Sequence, residues 1–255
     1  MKNNTRKYVL TGLMTALVFV LTYIIKIPVP YTSGYIHLGD SMIYISVMVL
    51  GPAFGAFASG IGSMLADIAG GYLHYAVPTL VIKSLMALVM GLFLSERSRK
   101  TSIVPVVTAV SVWAAFCAGT LLYLNNQLGK LGVDNLVKSV LGDEADSQAI
   151  KETTSLIERL PVYFTAGIAI LTLTLAITAY LVSKRSNVFT LKSIMGMNAA
   201  GICMVMGYFT VEAFMYAPVA AIFSIPPNMI QFFGGVLVAS LLAPAVTKVA
   251  IYNRT

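Results

Sequence analysis

Charged and amide side chains occur inside long apolar stretches of this 255-residue chain. A charged group in such a stretch is costly unless it is paired or hydrated, so it commonly marks a binding or transport site. Carboxylates, amides, a lysine and tyrosine hydroxyls can hold a polar solute by hydrogen bonds and charge. We therefore predict a substrate-binding site, and no catalytic residue, metal site or cofactor. The predicted site residues are His37, Asp40, Asp67, Tyr72, Tyr75, Lys83, Tyr208, Glu212, Asn228 and Gln231.

Several of these residues have a structural interpretation that competes with ligand contact. Asp67 and Lys83 fall at matching depths on consecutive apolar runs, where they can form an ion pair instead. Asp40 lies near the start of its run, where a carboxylate can cap a helix. His37 lies at the membrane–water interface, where a histidine is often solvated or bonded to the backbone. The tyrosines can likewise belong to the aromatic belt of a membrane protein.

Glu212 is the strongest single ligand candidate, because the sequence places no cation near it. Asn228 and Gln231 are three residues apart and therefore share one face of a helix. Two prolines open that helix, and its first turn has N–H groups without partners inside the helix. These donors and amides can face the same pocket as Glu212.

The composition predicts the elements that must position these groups. Hydrophobic residues make up 58% of the chain and charged residues only 11%, which is typical of a membrane protein. Apolar runs of membrane-spanning length predict an all-α, polytopic membrane helical bundle. The eight predicted spans are 8–26, 37–50, 53–72, 77–95, 103–124, 161–183, 194–217 and 222–247.

Basic residues occur in the N-terminal segment, in 96–102, in 184–193 and near the C-terminus. Lysine and arginine in short flanks face the cytoplasm, and eight crossings put all four clusters on that side. We predict a multi-pass protein of the cell membrane with cytoplasmic N- and C-termini. No small-residue cleavage site follows the first run, so we expect a retained helix. Nucleic acid is not an expected partner, because no basic stripe with interleaved aromatic residues is present.

The predicted site residues share one depth in the bundle. At about 1.5 Å per residue, they fall within about 5–15 Å of the outer surface. A polar pocket that opens outward, rimmed by tyrosines, is the simplest arrangement that makes these groups tolerable. We treat residues 1–255 as a single membrane domain around this pocket.

The segment 125–160 is predicted to be a long outer loop, with six acidic and four basic residues. Within it, Ile150, Ile157 and Leu160 recur at roughly helical spacing after Asp146, which can serve as an N-cap. The segment therefore holds either a short amphipathic helix over the mouth of the pocket or a solvated linker.

Small residues line one side of two predicted helices. Gly12 and Ala16 form a small-xxx-small pair in the first helix, where packing within the chain or a partner subunit can explain them. A second stripe, in the third helix, predicts close packing within the chain and consists of Gly55, Ser59, Gly62, Ala66 and Ala69.

Six short motifs, taken in order, resemble the substrate-binding (S) component of energy-coupling factor (ECF) transporters. The resemblance covers about 1–95 and 194–250. The motifs are YIHLGD at 35–40, LGPAFG at 50–55, ADIAGGY at 66–72, LVIK at 80–83, GYFTVE at 207–212 and IPPNMIQ at 225–231.

The resemblance implies a six-helix core with a vitamin pocket near the outer face, under a mobile first loop at 27–36. It also implies a transmembrane coupling subunit that docks on small residues of the first helix, and two cytoplasmic ATPase subunits. Gly12 and Ala16 stand where the family often has two alanines. Residues 103–183 depart from the family, because they add two helices and an outer loop between core segments 1–100 and 190–255.

The sequence is compatible with three functions. The first is a high-affinity binding subunit for a small water-soluble vitamin or precursor, such as a pyridoxine- or pyrimidine-like compound or pantothenate. The second is a stand-alone, proton-coupled transporter with Asp67, Lys83 and Glu212 as a relay. The third is a non-transporting membrane scaffold. An enzyme is not expected, since the chain has neither a phosphate-binding loop nor a serine nucleophile turn.

Overall fold

The computed structural model describes residues 2–29, 31–94, 104–142, 146–185 and 191–252, and nearly all of them are helical. The helices are α1 (Lys2–Ile24), α2 (Gly39–Leu50), α3 (Pro52–Gly70), α4 (Leu73–Leu94), α5 (Val104–Leu141), α6 (Ser147–Arg185), α7 (Leu191–Met215), α8 (Pro218–Ile222) and α9 (Ile225–Tyr252). Two short strands, β1 (Ile27–Pro28) and β2 (Tyr35–Ile36), precede α2.

Five described helical segments are long and apolar enough to cross a membrane. They are Asn4–Ile24, Pro52–Gly70, Leu73–Leu94, Lys192–Met215 and Pro218–Leu242, and α2 is a shorter apolar helix. The prediction of an all-α polytopic membrane protein is therefore confirmed. The number of eight spans stays a prediction.

Tight links join the helices that carry the site. Gly51, between α2 and α3, has a φ of 80°, and Pro52 takes the first helical position of α3. Gly71 ends α3 with a φ of 84° and donates its N–H to the carbonyls of Asp67 and Ile68. Glycine adopts these left-handed conformations at little cost, so the chain can reverse direction within one or two residues.

Close packing around α3 uses Gly62 of the predicted stripe and also Gly60, which lies outside that stripe. A Cβ added at Gly62 would lie 2.6 Å from the carbonyl oxygen of Thr15 on α1. One added at Gly60 would lie 2.9 Å from the carbonyl oxygen of Leu80 on α4. Because any larger residue would collide with these backbones, the glycines set the spacing of α1, α3 and α4.

The remaining helices extend the packing on both sides of α2. Almost every residue of α2 is buried, between α1, α3, α4 and α9. Helix α7 packs against α4 and α9. Helices α5 and α6 pack chiefly on each other and reach the other helices through contacts with α7, α8 and α9.

The segment 27–36, expected as a loop, is a short β-hairpin. Its strands are antiparallel and pair Ile27 with Ile36 and Pro28 with Tyr35. In its turn, Tyr31 has a φ of 65° and the N–H of Val29 donates to the carbonyl of Gly34 at 3.0 Å. We call residues 27–36 the outer hairpin, after the side of the membrane that the sequence predicts for them.

The prediction of a long outer loop at 125–160 is wrong for most of its length. Helix α5 continues to Leu141, with a break at Gly132, and α6 begins at Ser147. Most of the charged residues that indicated a loop lie on helices that extend beyond the apolar runs, and Asp143 and Glu144 lie outside the described residues. The predicted N-cap is confirmed, because Asp146 Oδ1 accepts the N–H of Ala149 at 2.6 Å.

Candidate solute-binding site

A buried ion pair joins α2 to α4 at the end of the bundle nearest the outer hairpin. Lys83 Nζ lies 2.5 Å from Asp40 Oδ1, and both side chains are fully buried. The expected pairing of Lys83 with Asp67 is therefore wrong. Asp40 in the first turn of α2 faces α4, and a fully buried carboxylate needs a cation more than a partly solvated one does.

Gln231 on α9 completes this network. Its Nε2 donates to Asp40 Oδ2 at 2.9 Å, and its Oε1 accepts the backbone N–H of His37 at 2.9 Å. The predicted shared face of Asn228 and Gln231 is present, but the Gln231 amide is already bonded within the protein. It therefore links α9 to the segment between the outer hairpin and α2.

His37 lies in that segment, outside the helices. Its Nδ1 accepts the N–H of Gly39 at 3.0 Å. Burial, reinforced by the positive charge of Lys83, lowers the pKa of His37 to about 3, with Asp40 acting weakly in the opposite direction. His37 is consequently a neutral hydrogen-bond acceptor at physiological pH.

Asp67 on α3 lies beneath the outer hairpin and is only 3% exposed. The Tyr35 hydroxyl donates to Asp67 Oδ1 at 2.6 Å. Burial and the nearby Asp67 charge raise the pKa of Tyr35, so its hydroxyl keeps the proton that it donates. Asp67 Oδ2 has no hydrogen-bond partner among the described residues, although the Thr79 hydroxyl lies nearby.

Glu212 on α7 is bonded in the same way as Asp67, with one carboxylate oxygen accepting a tyrosine hydroxyl. The Tyr75 hydroxyl donates to Glu212 Oε1 at 3.0 Å, and Oε2 forms no hydrogen bond within the described part of the chain. The hydroxyls of Thr32 and Ser224 lie near the carboxylate. The outer hairpin covers it closely, since a Cβ added at Gly34 would lie 3.3 Å from Oε1.

These groups meet at one polar cavity of about 20 Å³, which has room for about one water molecule. Seven of the ten predicted site residues line it: His37, Asp67, Tyr75, Tyr208, Glu212, Asn228 and Gln231. The other lining residues are Val29, Gly34, Tyr35 and Thr79. Asp40, Lys83 and Tyr72 do not line the cavity.

Tyr35 and Thr79 were not predicted as site residues, although the sequence carries a signal for each. Thr79 precedes Lys83 by four residues and so lies on the same face of α4. Its hydroxyl is 3.1 Å from that of Tyr208. Tyr35 is two residues before His37, which places both on one side of an extended segment.

Lys26 and Tyr72 form the rim next to Asp67. The rings of Tyr35 and Tyr72 have their centroids 4.5 Å apart. Lys26 Nζ lies 5.1 Å from the Tyr35 ring centroid and 5.2 Å from that of Tyr72. Tyr72 thus supports Tyr35, a lining residue, and does not itself reach the cavity.

The outer hairpin also contacts α6 and Phe223, which lies between α8 and α9. The hydroxyls of Tyr31 and Thr153 are 2.8 Å apart, and the Tyr31 ring centroid is 4.8 Å from that of Phe223. Behind these contacts, an apolar cavity of about 450 Å³ separates the outer hairpin from α6 and α9. One side of the outer hairpin therefore faces the polar cavity and the other faces this apolar space.

The predicted docking residues Gly12 and Ala16 are exposed on α1. No heavy atom lies within 4 Å of a Cβ added at Gly12. Packing against the described residues therefore does not account for this pair, in contrast to the small residues of α3.

Comparisons with known proteins give two kinds of match. The model of the family "ECF-type riboflavin transporter, S component" matches residues 2–140, which is more than half of the chain. The matched range ends within α5 and includes four of the six motifs, whereas the motifs at 207–212 and 225–231 lie outside it. No solved structure gives a significant match.

Two curated relatives match shorter stretches. An uncharacterised protein in the gap 3' region of Pyrococcus woesei is 43% identical over 76 residues, which cover 30% of this chain and 51% of the relative. The thiamine precursor transporter HmpT of Lactococcus lactis subsp. cremoris (strain MG1363) is 32% identical over 90 residues, or 35% of this chain and 54% of the relative. The chain spans about half the length of the curated relatives it matches.

Proposed function

The chain belongs to the family of ECF-type riboflavin transporter S components, and we propose that it is a membrane-embedded, high-affinity binding subunit for uptake of a small water-soluble vitamin or precursor. One observation carries the proposal. Asp67, Tyr75, Glu212 and Asn228 come from four different helices, α3, α4, α7 and α9, and line one cavity. Buried polar groups that converge in this way are typical of a solute site within a membrane bundle.

In this proposal the outer hairpin is the lid of the site. Pockets that hold small molecules have volumes of about 300–1,000 Å³, whereas the polar cavity measures about 20 Å³. Val29, Gly34 and Tyr35 of the outer hairpin are among its lining residues. Movement of the outer hairpin away from Glu212 is therefore the step that would admit a solute.

The names of the relatives give two candidate solutes. The family is named for riboflavin and the Lactococcus relative for a thiamine precursor. The polar groups that line the cavity also make a pyridoxine- or pyrimidine-like compound, or pantothenate, a candidate solute.

Energy for uptake would come from partner subunits, and the chain itself would carry out no chemistry. We propose that a transmembrane coupling subunit docks on the exposed face of α1 at Gly12 and Ala16, and that two ATPase subunits act on the cytoplasmic side. Small residues on an uncovered helix face allow a second helix to approach closely. The proposed setting is the cell membrane, with both termini cytoplasmic.

We further propose eight spans in one membrane domain. The core would comprise 1–100 and 190–255, and residues 103–183 would form an inserted hairpin. The pairing of α5 with α6 supports this division, because each of these two helices contacts the other more than it contacts any other single helix.

The alternative of a proton-coupled transporter has less support. Its relay needs Lys83 to connect Asp67 with Glu212, and Lys83 is bonded to Asp40 instead. Uptake of a labelled vitamin into cells, with and without the partner ATPases, distinguishes the two. The proposal predicts that uptake requires the ATPases. Uptake that persists without them and collapses with a protonophore would contradict the proposal and favour the alternative.

A further inference from the structure

The function proposed above leaves the apolar cavity between the outer hairpin, α6 and α9 unused. Its volume is about 450 Å³, against about 20 Å³ for the polar cavity. Tyr31 and Tyr163 are its lining residues with a polar side-chain atom, and the others are aliphatic, proline, phenylalanine, methionine or glycine. Apolar cavities of about 150 Å³ stay dry and take up apolar molecules such as benzene. The favoured filling of this cavity is therefore an apolar molecule and not water.

The cavity lies at the depth of the hydrocarbon layer of the membrane. Its α9 wall runs from Pro226 to Phe233, in the middle of the segment Pro218–Leu242, which is long and apolar enough to cross a membrane. Ile170 on α6 and Ile230 on α9 both line the cavity and have exposed side chains. The cavity therefore opens sideways between apolar residues, where the membrane lipid can enter it.

The shape of the cavity fits an extended chain. On α6 the lining residues run from Leu156 to Ile170, fourteen residues apart, which corresponds to about 21 Å along the helix. One leaflet of the hydrocarbon core is about 15 Å thick. The wall is therefore long enough to lie along one lipid acyl chain over the whole depth of a leaflet.

A cation lies where the headgroup of such a lipid would be. Arg159 is three residues after Leu156 and four before Tyr163, so it shares the face of α6 that lines the cavity. It is exposed, and within the described part of the chain it forms no ion pair.

The depth of Arg159 can be read from the contact between α6 and α9. A Cβ added at Gly167 would collide with the side chain of Met229, which lies near the middle of the apolar segment of α9. Arg159 is eight residues from Gly167, or about 12 Å towards the outer hairpin. Half of the hydrocarbon core measures about 15 Å, so a guanidinium there can reach the phosphate layer, and arginine binds phosphate with two parallel hydrogen bonds.

We propose that the apolar cavity holds one acyl chain of a membrane phospholipid and that Arg159 binds the phosphate of the same molecule. The acyl chain supplies the dispersion contacts that the side chains around an empty space lack. Ile27, Pro28 and Ile36 of the outer hairpin form part of the cavity wall. The lipid therefore supports the side of the outer hairpin that faces away from the polar cavity.

The test is native mass spectrometry of the full chain in detergent, titrated with dioleoylphosphatidylglycerol. We expect one molecule to bind the wild type more tightly than any further ones. Ala166→Phe places a ring in the cavity and should weaken this binding at least about tenfold, since extra volume in a filled site costs about 1–3 kcal/mol. Arg159→Gln, at an exposed position, should weaken it by about 2- to 5-fold.

Two matched controls lie on α6 outside the cavity lining. Ala169→Phe and Lys151→Gln, both at exposed positions, should bind the lipid like the wild type. Dioleoylglycerol has the same acyl chains without a phosphate, so it should bind more weakly and be insensitive to Arg159→Gln. Thermal unfolding of each variant checks that it is folded. Equal lipid binding by Ala166→Phe, Ala169→Phe and the wild type would overturn the proposal, as would dioleoylglycerol that binds as tightly as the phospholipid.

Discussion

Asp40, Lys83 and Gln231 form a buried polar network that joins α2, α4 and α9. The sequence predicted that these residues share a depth, because depth follows from position along an apolar run. It did not predict their partners. Asp40 and Lys83 are 43 residues apart and belong to helices that are not consecutive, so only the packing brings them together.

Loss of one member of this network should be strongly destabilising. Lys83→Met leaves Asp40 buried without a cation, which costs about 3–5 kcal/mol. We expect a large fall in the thermal unfolding midpoint in detergent, and partial recovery in the double variant Asp40→Asn/Lys83→Met. Lys151→Met, at an exposed position of α6, is the matched control. A midpoint for Lys83→Met equal to that of the control would contradict the buried pairing.

His37 makes stability depend on pH. Its folded pKa of about 3 lies below the ordinary value of 6.5, so the unfolded chain binds a proton that the folded chain does not. The contribution is therefore fully present above pH 6.5 and is lost as the pH falls towards 3, by about 2 kcal/mol at pH 5.

His37→Asn provides the control, because its amide oxygen can accept the Gly39 N–H and does not titrate. We expect the drop in unfolding midpoint between pH 7.5 and pH 5 to be smaller in His37→Asn than in the wild type. Equal drops in the two proteins would show that His37 is already protonated in the folded state or is accessible to water.

At the scale of elements, the outer hairpin lies between the polar cavity and helix α6. Tyr31 connects it to α6 through Thr153, and its backbone adopts a positive φ that non-glycine residues rarely take. Such a conformation persists only where surrounding contacts hold it. Helix α6 therefore helps to hold the outer hairpin over the polar cavity.

Removal of the Tyr31 hydroxyl should loosen the outer hairpin without displacing the ring from Phe223. For Tyr31→Phe we expect amide hydrogen exchange in 27–36 to quicken by about 2- to 10-fold, the effect of one lost hydrogen bond. Thr153→Val removes the same bond from the other side and should act alike. Tyr163→Phe, which lines the apolar cavity, is the control. Unchanged exchange in Tyr31→Phe and Thr153→Val would show that this bond does not hold the outer hairpin.

The sequence predicted the buried parts of the helices better than it predicted where the helices and strands begin and end. Apolar runs located the buried parts of the helices, because burial in a membrane protein depends on local composition. The helical state of 125–141 was missed, since charged residues on a helix beyond the apolar layer have the composition of a loop. The strands of the outer hairpin were missed because two residues each are too few to show a pattern.

At the scale of the whole molecule, we propose that solute binding and coupling to an energy source use different parts of the chain. The polar cavity lies at the end of the bundle that carries the outer hairpin, whereas Gly12 and Ala16 lie near the middle of α1, on an exposed face. A change on α1 should therefore affect coupling without affecting the site.

Gly12→Leu and Ala16→Leu test this separation. A large side chain on the exposed face of α1 should prevent a partner helix from approaching, so we expect uptake to fall at least about tenfold, the effect of roughly 1.4 kcal/mol lost from docking. Ligand binding by the isolated variants should match the wild type. Leu13→Ala, a neighbouring exposed position, is the control. Normal uptake in Gly12→Leu and Ala16→Leu would rule out this face as the docking surface.

The central claim is that buried polar groups from four helices form one solute site beneath the outer hairpin. Mass spectrometry of small molecules that copurify with the wild-type chain and with folded Asn228→Ala and Glu212→Gln variants tests it most directly. We predict about one vitamin-class molecule per wild-type chain, and its loss or marked depletion in both variants. A wild-type chain that carries no such molecule even after exposure to a vitamin mixture, or variants that retain it at the wild-type level, would contradict the claim.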